Sequence, residues 1–225
     1  MQRIMYRSVN SSGAPVAVTG TVLVPYAAWT GSGPRPLVSY AAGTQGQGDQ
    51  CAPSRAMATG EEYEGIFIAG LLARGYSRAV TDYEGLGTAG SHTYMARESQ
   101  AHAVLDAARA AQRLGNPQIM PGGPVALAGY SQGGGASAAA VELAPQYAPE
   151  LNLKGAYAGA VPADLPAVGR NLDGGLYTGF LLYAVTGMGA AGGLDLSPTS
   201  TPQGGRSWRR QTTNALCSRS PQAAS

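Results

Sequence analysis

The sequence predicts an α/β fold in which a mostly parallel β-sheet is covered by helices on both faces. Short apolar runs bounded by glycine or proline alternate along the chain with segments of helical periodicity, which is typical of parallel strands joined by helical crossovers. Hydrophobic residues make up 44% of the chain and charged residues 12%, with 33 glycines. That composition fits a compact, turn-rich protein with one main domain rather than a disordered or fibrous chain.

The N-terminal third predicts a hairpin, a buried strand and a helix. Residues 3–9 and 16–24 are rich in β-forming side chains, and the Asn-Ser-Ser-Gly between them favours a tight turn between antiparallel strands at a sheet edge. Residues 36–41 are a short apolar run between Pro and Gly, which indicates a buried strand. Residues 61–74 predict a helix with an acidic first turn that ends before Gly75.

The later segments continue the alternation. We expect a strand at 76–83, a helix at 97–114, a strand at 125–128, a helix at 136–143 and a strand at 153–161. In such folds the loops at the carboxyl ends of the strands are the places where functional sites lie.

The pentapeptide Gly129-Tyr130-Ser131-Gln132-Gly133 lies between a predicted strand and a predicted helix. A serine at an abrupt strand-to-helix turn adopts a strained backbone conformation that tolerates only small residues two positions to either side, and glycine occupies both positions here. The helix that follows directs free backbone N–H groups toward the site, where they can stabilise an oxyanion. Ser131 is therefore our candidate nucleophile; the alternative is a glycine-rich turn without chemistry.

The general base that a nucleophilic serine requires has no conventional candidate. In hydrolases with this kind of turn, an acid and then a histidine follow the serine along the chain. The only two histidines, His92 and His102, precede Ser131. His92 could approach the turn from the loop that follows a strand end, but a position at a helix entry or on the surface is favoured. His102 is expected to be packed or solvated within a helix, so neither histidine is assigned to catalysis.

Charge and cysteine content exclude one class of protein and leave the redox compartment open. The formal net charge is +2, but residues 1–195 contain 11 basic and 13 acidic side chains, and the chain has a single lysine. We therefore expect no nucleic-acid partner, because such a partner requires clustered Lys and Arg on the folded part. Cys51 and Cys217 permit one disulfide without establishing it.

Residues 174–194 are uncharged and raise the question of a membrane span. Seven of these positions are glycine and two are threonine, and the strongly apolar part is confined to residues 180–185. We therefore expect a core or surface-seeking helix and no integral membrane span. The N-terminus has no apolar stretch of signal-peptide length, so no export address is predicted.

Five motifs, in order along the chain, resemble a known family. They are Tyr6-Arg7-Ser8, the segments at 20–25, 46–54 and 82–87, and the turn at Ser131. From about residue 3 to about residue 198 the chain resembles the secretory lipase family of the α/β-hydrolases. The resemblance implies an α/β-hydrolase fold with an incomplete helical cap. It also implies an esterase that cleaves lipid esters by acylating the serine, with no metal or organic cofactor.

The resemblance assigns roles to single residues. Ser131 would be the nucleophile, and the backbone N–H groups of Gln132 and Asp82 would form the oxyanion hole. From the residues alone, Asp82 is better explained as a strand-end Asp that accepts hydrogen bonds from turn amides. The resemblance further implies a lipid-ester substrate, contact with a lipid interface and secretion, and it leaves the oligomeric state unknown.

The resemblance also divides the chain into three parts. Residues 1–162 would form an incomplete hydrolase core and residues 163–197 the start of the cap. Residues 198–225 would be an aberrant tail, produced by a frameshift near Pro198, whose composition predicts disorder. The family's catalytic acid and histidine lie beyond the cap, so we expect both to be missing. Asp164, Asp173 and Asp195 are still present, but helix capping or turn closure is their expected role.

Two functions therefore compete. The first is a triacylglycerol lipase or carboxylic ester hydrolase with an acyl-enzyme mechanism, inactive or impaired in this chain because the triad acid and histidine are absent. The second is a non-catalytic lipid-binding or interaction protein on the same fold, suggested by the apolar residues 176–185. A third outcome is a chain that does not fold stably, since an incomplete cap exposes apolar surface.

Overall fold

The computed structural model describes residues 1–194, in which six strands form one sheet of order β1-β2-β4-β3-β5-β6. The strands are β1 Gln2–Val9, β2 Pro15–Leu23, β3 Leu37–Ala41, β4 Ser77–Thr81, β5 Val125–Tyr130 and β6 Leu153–Gly159. β2 pairs antiparallel with β1 and with β4, whereas β3 runs parallel to β4 and β5, and β5 runs parallel to β6. The predicted α/β class, with an antiparallel hairpin at one edge of a mostly parallel sheet, is confirmed.

Helices cover both faces of this sheet. Within residues 1–194 they are α1 Pro53–Thr59, α2 Gly65–Ala73, α3 Arg97–Arg113, α4 Gln132–Tyr147, α5 Leu165–Leu172 and α6 Thr178–Ala191, with a short 3₁₀ turn at Asp49–Cys51. α3 and α4 pack on one face of the sheet. α1 and α2 pack on the other face, against β2 and β4. The predicted two-faced covering is therefore present, although it is uneven.

The main core lies between the sheet and the pair α3 and α4. Leu37, Val125 and Leu127 point from the strands onto Val104 and Leu105 of α3, and each of these side chains is almost fully buried. Alanine fills most of the remaining helix positions that face the sheet, so both helices lie close to the strands. This face supplies most of the buried apolar surface and holds the start of α4 firmly in place.

The opposite face is covered only over its first strands. Tyr40, Val80 and Ile68 form a small buried cluster beneath α2. Beyond that cluster, β5 has no helix above it on this face among the described residues, and β6, the outer strand, is exposed along most of its length. An apolar groove results, and its lining is described with the site below.

Several boundaries differ from the sequence expectations for identifiable reasons. The helix expected at 61–74 begins only at Gly65, so the expectation of an acidic first turn is wrong. Glu62 and Glu64 instead turn inward, where Glu64 accepts the Gly43 N–H at 3.1 Å and Glu62 accepts the Gln45 side-chain amide at 2.8 Å. The helix expected at 136–143 begins at Gln132, because glycines 133–135 are helical here.

Two helices, α5 and α6, follow β6 and pack against each other. α6 has 14 residues, and no helix within residues 1–194 has the length and apolar character needed to cross a bilayer. The division into a core at 1–162 and a cap at 163–197 remains a prediction. The tail expected to be disordered at 198–225, together with Asp195 and Cys217, lies outside the described residues, whereas Cys51 is buried.

Candidate active site

Ser131 joins β5 directly to α4 and has a backbone conformation that non-glycine residues rarely adopt, with φ 57° and ψ −117°. Such a residue stores about 1–3 kcal/mol of strain unless its surroundings hold it in place. Two hydrogen bonds do so here: the Ser131 N–H donates to the Gly159 carbonyl, and the Ser131 carbonyl accepts the Gly135 N–H, both at 3.0 Å. The predicted strained turn is confirmed.

The glycines around Ser131 are required by close backbone approach. A methyl group on Gly133 would lie 1.8 Å from the Ala41 carbonyl oxygen, and one on Gly129 would lie 2.2 Å from the Gly133 carbonyl oxygen. Both distances are far below van der Waals contact, so the steric requirement expected for the two positions is confirmed. A methyl group on Gly134 would lie 2.0 Å from the Gly159 carbonyl oxygen, so this position, which the sequence pattern did not indicate, has the same constraint.

The side chain of Ser131 is partly exposed and forms no hydrogen bond with any of the described residues. It stands at the N-terminus of α4, where helix geometry leaves the N–H groups of Gln132 and Gly133 without intrahelical acceptors. Those N–H groups and the helix dipole favour negative charge beside the hydroxyl. The arrangement can therefore stabilise an anion that forms on an atom attached to Ser131.

Gln132 is held by its side chain as well as by the helix. Its side chain is 1% exposed, and its amide nitrogen lies 2.9 Å from Nε2 of His92. Nδ1 of His92 in turn lies 2.9 Å from the Glu84 carbonyl oxygen. The residue after Ser131 is thus connected to the loop that follows β4.

His92 is 1% exposed, so the expectation of a helix-entry or surface histidine is wrong. Its ring lies between Tyr83 and Tyr94, with centroid separations of 5.8 and 5.9 Å. Burial lowers the pKa of His92 from 6.5 to about 4, so the ring is neutral at physiological pH. With both ring nitrogens hydrogen-bonded, His92 has no free position from which to take a proton from Ser131.

His102 is remote from the turn. Its ring stacks on Tyr147 with centroids 3.9 Å apart, and its Nδ1 lies 2.9 Å from the Val9 carbonyl oxygen. The expectation that this histidine is packed within α3 is confirmed. Neither histidine of the chain is therefore placed as a general base for Ser131.

Asp82 lies at the end of β4 and is fully buried. Its carboxylate accepts the Ser54 N–H at 2.7 Å, the Ser54 hydroxyl at 2.5 Å and the Thr19 hydroxyl at 2.7 Å. Burial raises the pKa of this carboxyl group, and the three hydrogen bonds oppose that rise. The side chain therefore has the role expected of a strand-end Asp, since it accepts a hydrogen bond from a backbone N–H at the start of α1.

The backbone of Asp82 is also engaged. Its N–H donates to the Thr19 carbonyl at 2.9 Å, at the end of the β2–β4 ladder. β3 separates β4 from β5, so Asp82 and Ser131 lie at the ends of strands that are not adjacent. Gln132 is therefore part of the turn itself, whereas Asp82 is connected to the turn only through the loop after β4, whose His92 contacts Gln132.

Two of the three aspartates that follow Ser131 lie at the ends of α5. Asp164 is the N-cap of α5 and accepts the Ala167 N–H at 2.9 Å, while Asp173 is the C-cap residue of the same helix. The expected capping role is confirmed for Asp164. Within residues 1–194, no group of three or more His, Cys, Asp or Glu side chains gathers in a way that could hold a metal ion.

An apolar groove of about 950 Å³ runs along the less covered face of the sheet. Val38, Tyr40 and Tyr130 of the strands and Phe67 of α2 line it, and Tyr157 of β6 forms part of its rim. Tyr130 immediately precedes Ser131, so one end of the groove reaches the turn. Several of the lining side chains are more than half exposed, namely Phe67, Tyr130 and Tyr157.

Comparison with known proteins gives consistent results. The family model described as "Secretory lipase" matches residues 51–192. A protein named "Probable inactive lipase MT1628" of Mycobacterium tuberculosis is 34% identical over 193 residues, which cover 83% of this chain and 42% of that protein. "Lipase A" of Moesziomyces aphidis is 34% identical over 199 residues, which cover 84% of this chain and 41% of that protein.

Solved structures agree with these relatives. Candida antarctica lipase A in its closed state superimposes with a TM-score of 0.70 at 31% identity, covering 84% of this chain and 44% of that one. The strand order, the crossovers and the strained serine between β5 and α4 define an α/β-hydrolase fold. Within that class, the chain belongs to the secretory lipase family. It spans less than half the length of each of these three relatives.

Proposed function

We propose that this chain is, by ancestry and chemistry, a serine-dependent carboxylic ester hydrolase directed at lipid esters, with Ser131 as its nucleophile. The strained φ of Ser131 between β5 and α4 is the observation that carries the proposal. Membership of the secretory lipase family supports both the ester chemistry and secretion. On the same basis, residues 163–197 are proposed as the start of a cap over the site.

The proposed reaction begins when Ser131 Oγ attacks the ester carbonyl carbon. A C–O bond forms as the carbonyl double bond opens, the hydroxyl proton passes to solvent water, and the carbonyl oxygen becomes an oxyanion beside the N-terminus of α4. The Gln132 N–H stabilises that oxyanion. When the oxyanion collapses, the C–O bond to the alcohol breaks and the alcohol takes a proton from solvent. Water then hydrolyses the acyl-enzyme, which releases the acid and restores the Ser131 hydroxyl.

Asp82 is the proposed second oxyanion donor, but its N–H must first lose its present hydrogen-bond partner. Its N–H donates to Thr19 in this structure. To bind an oxyanion instead, it must release that partner, which requires the end of the β2–β4 ladder to open locally. The Gln132 N–H needs no such rearrangement, so we assign it the larger share of the stabilisation.

We propose that the 225-residue chain alone hydrolyses esters slowly. His92 is hydrogen-bonded at both ring nitrogens and His102 is remote from the turn, so Ser131 has no imidazole to accept its proton. Loss of the triad histidine costs about a millionfold in turnover in a well-studied serine protease. The oxyanion hole and binding alone still leave a rate roughly 10³–10⁴ above that of water.

Labelling with a fluorophosphonate tests this proposal, because the reagent forms an O–P bond at an activated serine and releases fluoride. We expect slow labelling of the wild-type chain at a single site and none in Ser131→Ala. Ser137→Ala is the matched control, since Ser137 is buried in α4 with no hydrogen-bond partner for its hydroxyl among the described residues. Equal labelling of wild type and Ser131→Ala would disprove the nucleophile assignment.

A second candidate function is lipid binding without catalysis. The groove beside α2 supports it, as do Leu176 and Tyr177, which are 98% and 64% exposed at the start of the proposed cap. Co-sedimentation with triacylglycerol-containing phosphatidylcholine vesicles distinguishes the two functions. Binding that persists in Ser131→Ala, in a chain that does not label, would favour the binding protein.

A further inference from the structure

His92 is a buried titratable group that the proposed reaction does not use. It follows the Asp-Tyr-Glu-Gly-Leu-Gly segment after β4, and its side chain reaches the first residue of α4. Nothing about packing alone requires an imidazole here, because an apolar ring would also fill the space between Tyr83 and Tyr94. Its hydrogen bonds are therefore the feature to explain.

The hydrogen bonds define the tautomer of His92. A carbonyl oxygen can only accept, so Nδ1 must carry a proton and donate to Glu84 at 2.9 Å. In a neutral ring Nε2 is then an acceptor, and Gln132 must present its NH2 group to it, also at 2.9 Å. The reverse orientation of the Gln132 amide would leave two lone pairs facing each other. The carbonyl of Glu84 thus fixes, through the imidazole, which way the Gln132 side chain points.

The loop that carries this carbonyl is itself anchored. The Glu84 carboxylate accepts hydrogen bonds from Thr93 and Ser99, which ties the loop to the start of α3. Gly85 packs against the backbone of Ser91, where an added methyl group would lie 2.2 Å from the Ser91 carbonyl oxygen. The chain from Glu84 through His92 is therefore a fixed support rather than a freely moving loop.

From these contacts we infer that His92 is a positioning residue that orients Gln132, so that the N–H next to Ser131 faces the forming oxyanion. Ser131 and Gln132 share one peptide unit, and rotation of that unit would turn the N–H away from the reacting carbonyl. The buried side chain of Gln132 resists this rotation because it is bonded to His92. The inference rests on the proposed hydrolase function and adds a residue that the function did not include.

Substitutions of His92 that each preserve only one of its two hydrogen bonds test the inference. The amide of Gln reaches as far as Nε2 and can still accept from Gln132, whereas the amide of Asn reaches only Nδ1 and preserves the bond to Glu84. We expect His92→Asn and His92→Phe to lower the fluorophosphonate labelling rate of Ser131 by about tenfold. His92→Gln should retain most of the rate. His102→Phe, which removes the other histidine, should label like wild type.

A double-mutant cycle separates positioning from general loss of structure. Gln132→Met keeps the backbone N–H but removes the side-chain amide, so it should slow labelling about as much as His92→Phe, and the double variant should be no slower than either. Unfolding curves for each variant set a labelling temperature at which all are folded. Multiplicative rates in the double variant, or equal rates for His92→Asn and His92→Gln, would overturn the inference.

Nitrogen NMR gives a readout that does not depend on catalysis. The ¹⁵N shifts of His92 should indicate a protonated Nδ1 and an unprotonated Nε2 at pH 7, and Gln132→Met should shift the Nε2 resonance. If wild type fails to label while these shifts appear, the hydrolase function fails and the His92–Gln132 contact stands. A protonated Nε2 would overturn the positioning role whatever the labelling result.

Discussion

The carboxyl end of β5 and the outer edge of the sheet are built in opposite ways. At the end of β5, backbone packs directly on backbone, so that a methyl group on Gly133 would lie 1.8 Å from a carbonyl oxygen of β3. At the edge, a methyl group on Gly155 of β6 would meet no atom within 4 Å. A strained serine persists only where its neighbours leave it no alternative. The difference therefore separates a rigid region, which holds a strained serine, from a region that leaves apolar surface open.

The same alanine substitution in both regions is the strongest way to test this comparison. Gly133→Ala should destabilise the fold by at least about 3 kcal/mol, because neither β3 nor α4 can move without breaking the sheet or the turn. Gly155→Ala should change the free energy of unfolding by less than about 0.5 kcal/mol. Denaturant unfolding monitored by circular dichroism measures both, and similar costs for the two would show that the turn is less constrained than its geometry indicates.

The pH dependence of stability tests how tightly the end of β5 is packed, because the buried His92 contacts Gln132 there. Burial lowers the pKa of this histidine to about 4, so between pH 6.5 and 4 the unfolded chain binds a proton that the folded protein does not. This group should therefore remove about 3 kcal/mol of stability as the pH falls through that window. Tyr83 and Tyr94 face the ring but stay neutral there, because burial raises the pKa of both.

Buried carboxyl groups change the stability with pH in the opposite direction to His92. The contribution of His92 must therefore be measured as a difference between wild type and a variant that lacks it. Burial raises the pKa values of Glu62, Glu64 and Asp82, and the folded state therefore gains protons on these groups more readily than the unfolded chain as the pH falls. The stability of His92→Phe should fall less steeply between pH 6.5 and 4 than that of wild type. Ser137→Ala, which removes no titrating group, should keep the wild-type slope. Identical slopes in wild type and His92→Phe would refute the buried neutral state.

Aspartate substitutions give the next largest contrast. In Asp82→Asn, a carboxylate that accepts three hydrogen bonds is replaced by an amide with a single acceptor atom, and the new NH2 group cannot accept from the Ser54 or Thr19 hydroxyl. We expect a loss of about 2 kcal/mol. Asp164→Asn is the matched control in the region after β6, where Asn caps a helix about as well as Asp, so the change should be close to zero.

Fluorophosphonate labelling of Asp82→Asn tests whether the backbone N–H or the carboxylate of Asp82 acts at the site. The substitution keeps the N–H at position 82, so a folded Asp82→Asn protein should still label at Ser131 at a rate within about threefold of wild type. A much larger loss would mean that the carboxylate itself acts at the site, and it would replace the proposed backbone role of Asp82.

Most strands, the helix α3 and the turn at Ser131 were predictable because local patterns specify them. Alternating apolar runs locate the strands, helical spacing locates α3, and paired glycines locate the strained serine. The burial of His92 was not predictable, since a lone histidine after Gly-Ser carries no pattern that distinguishes surface from core. The hydrogen bonds of Glu62 and Glu64 to the loop after β3 were also missed, because they join the segment between α1 and α2 to a loop about 20 residues earlier in the chain, and no local pattern indicates that contact.

At Asp82 the role of the side chain was predictable from the sequence, whereas the hydrogen bond of the backbone N–H was not. Its position at a strand end predicted a side chain that accepts turn amides, and the structure agrees. The N–H of the same residue was assigned to an oxyanion by resemblance alone. Only the pairing of β2 with β4 reveals that Thr19 already accepts from it. Hydrogen bonds between strands distant in sequence depend on register, which no local pattern in this chain specifies.

A substitution at the outer edge of the sheet, with the smallest expected effect on stability, tests whether the groove binds apolar molecules. Tyr157 is 65% exposed on the rim of the groove, so Tyr157→Asp should alter the free energy of unfolding by no more than about 0.5 kcal/mol. It should nevertheless lower the binding of an apolar fluorescent dye, 8-anilinonaphthalene-1-sulfonate, by at least about twofold, because contiguous apolar surface binds such dyes. Tyr26→Asp is the matched control, since Tyr26 is fully exposed but does not line the groove. If both variants lose dye binding equally, repulsion between the anionic dye and the added charge explains the result, and the groove is not the binding surface.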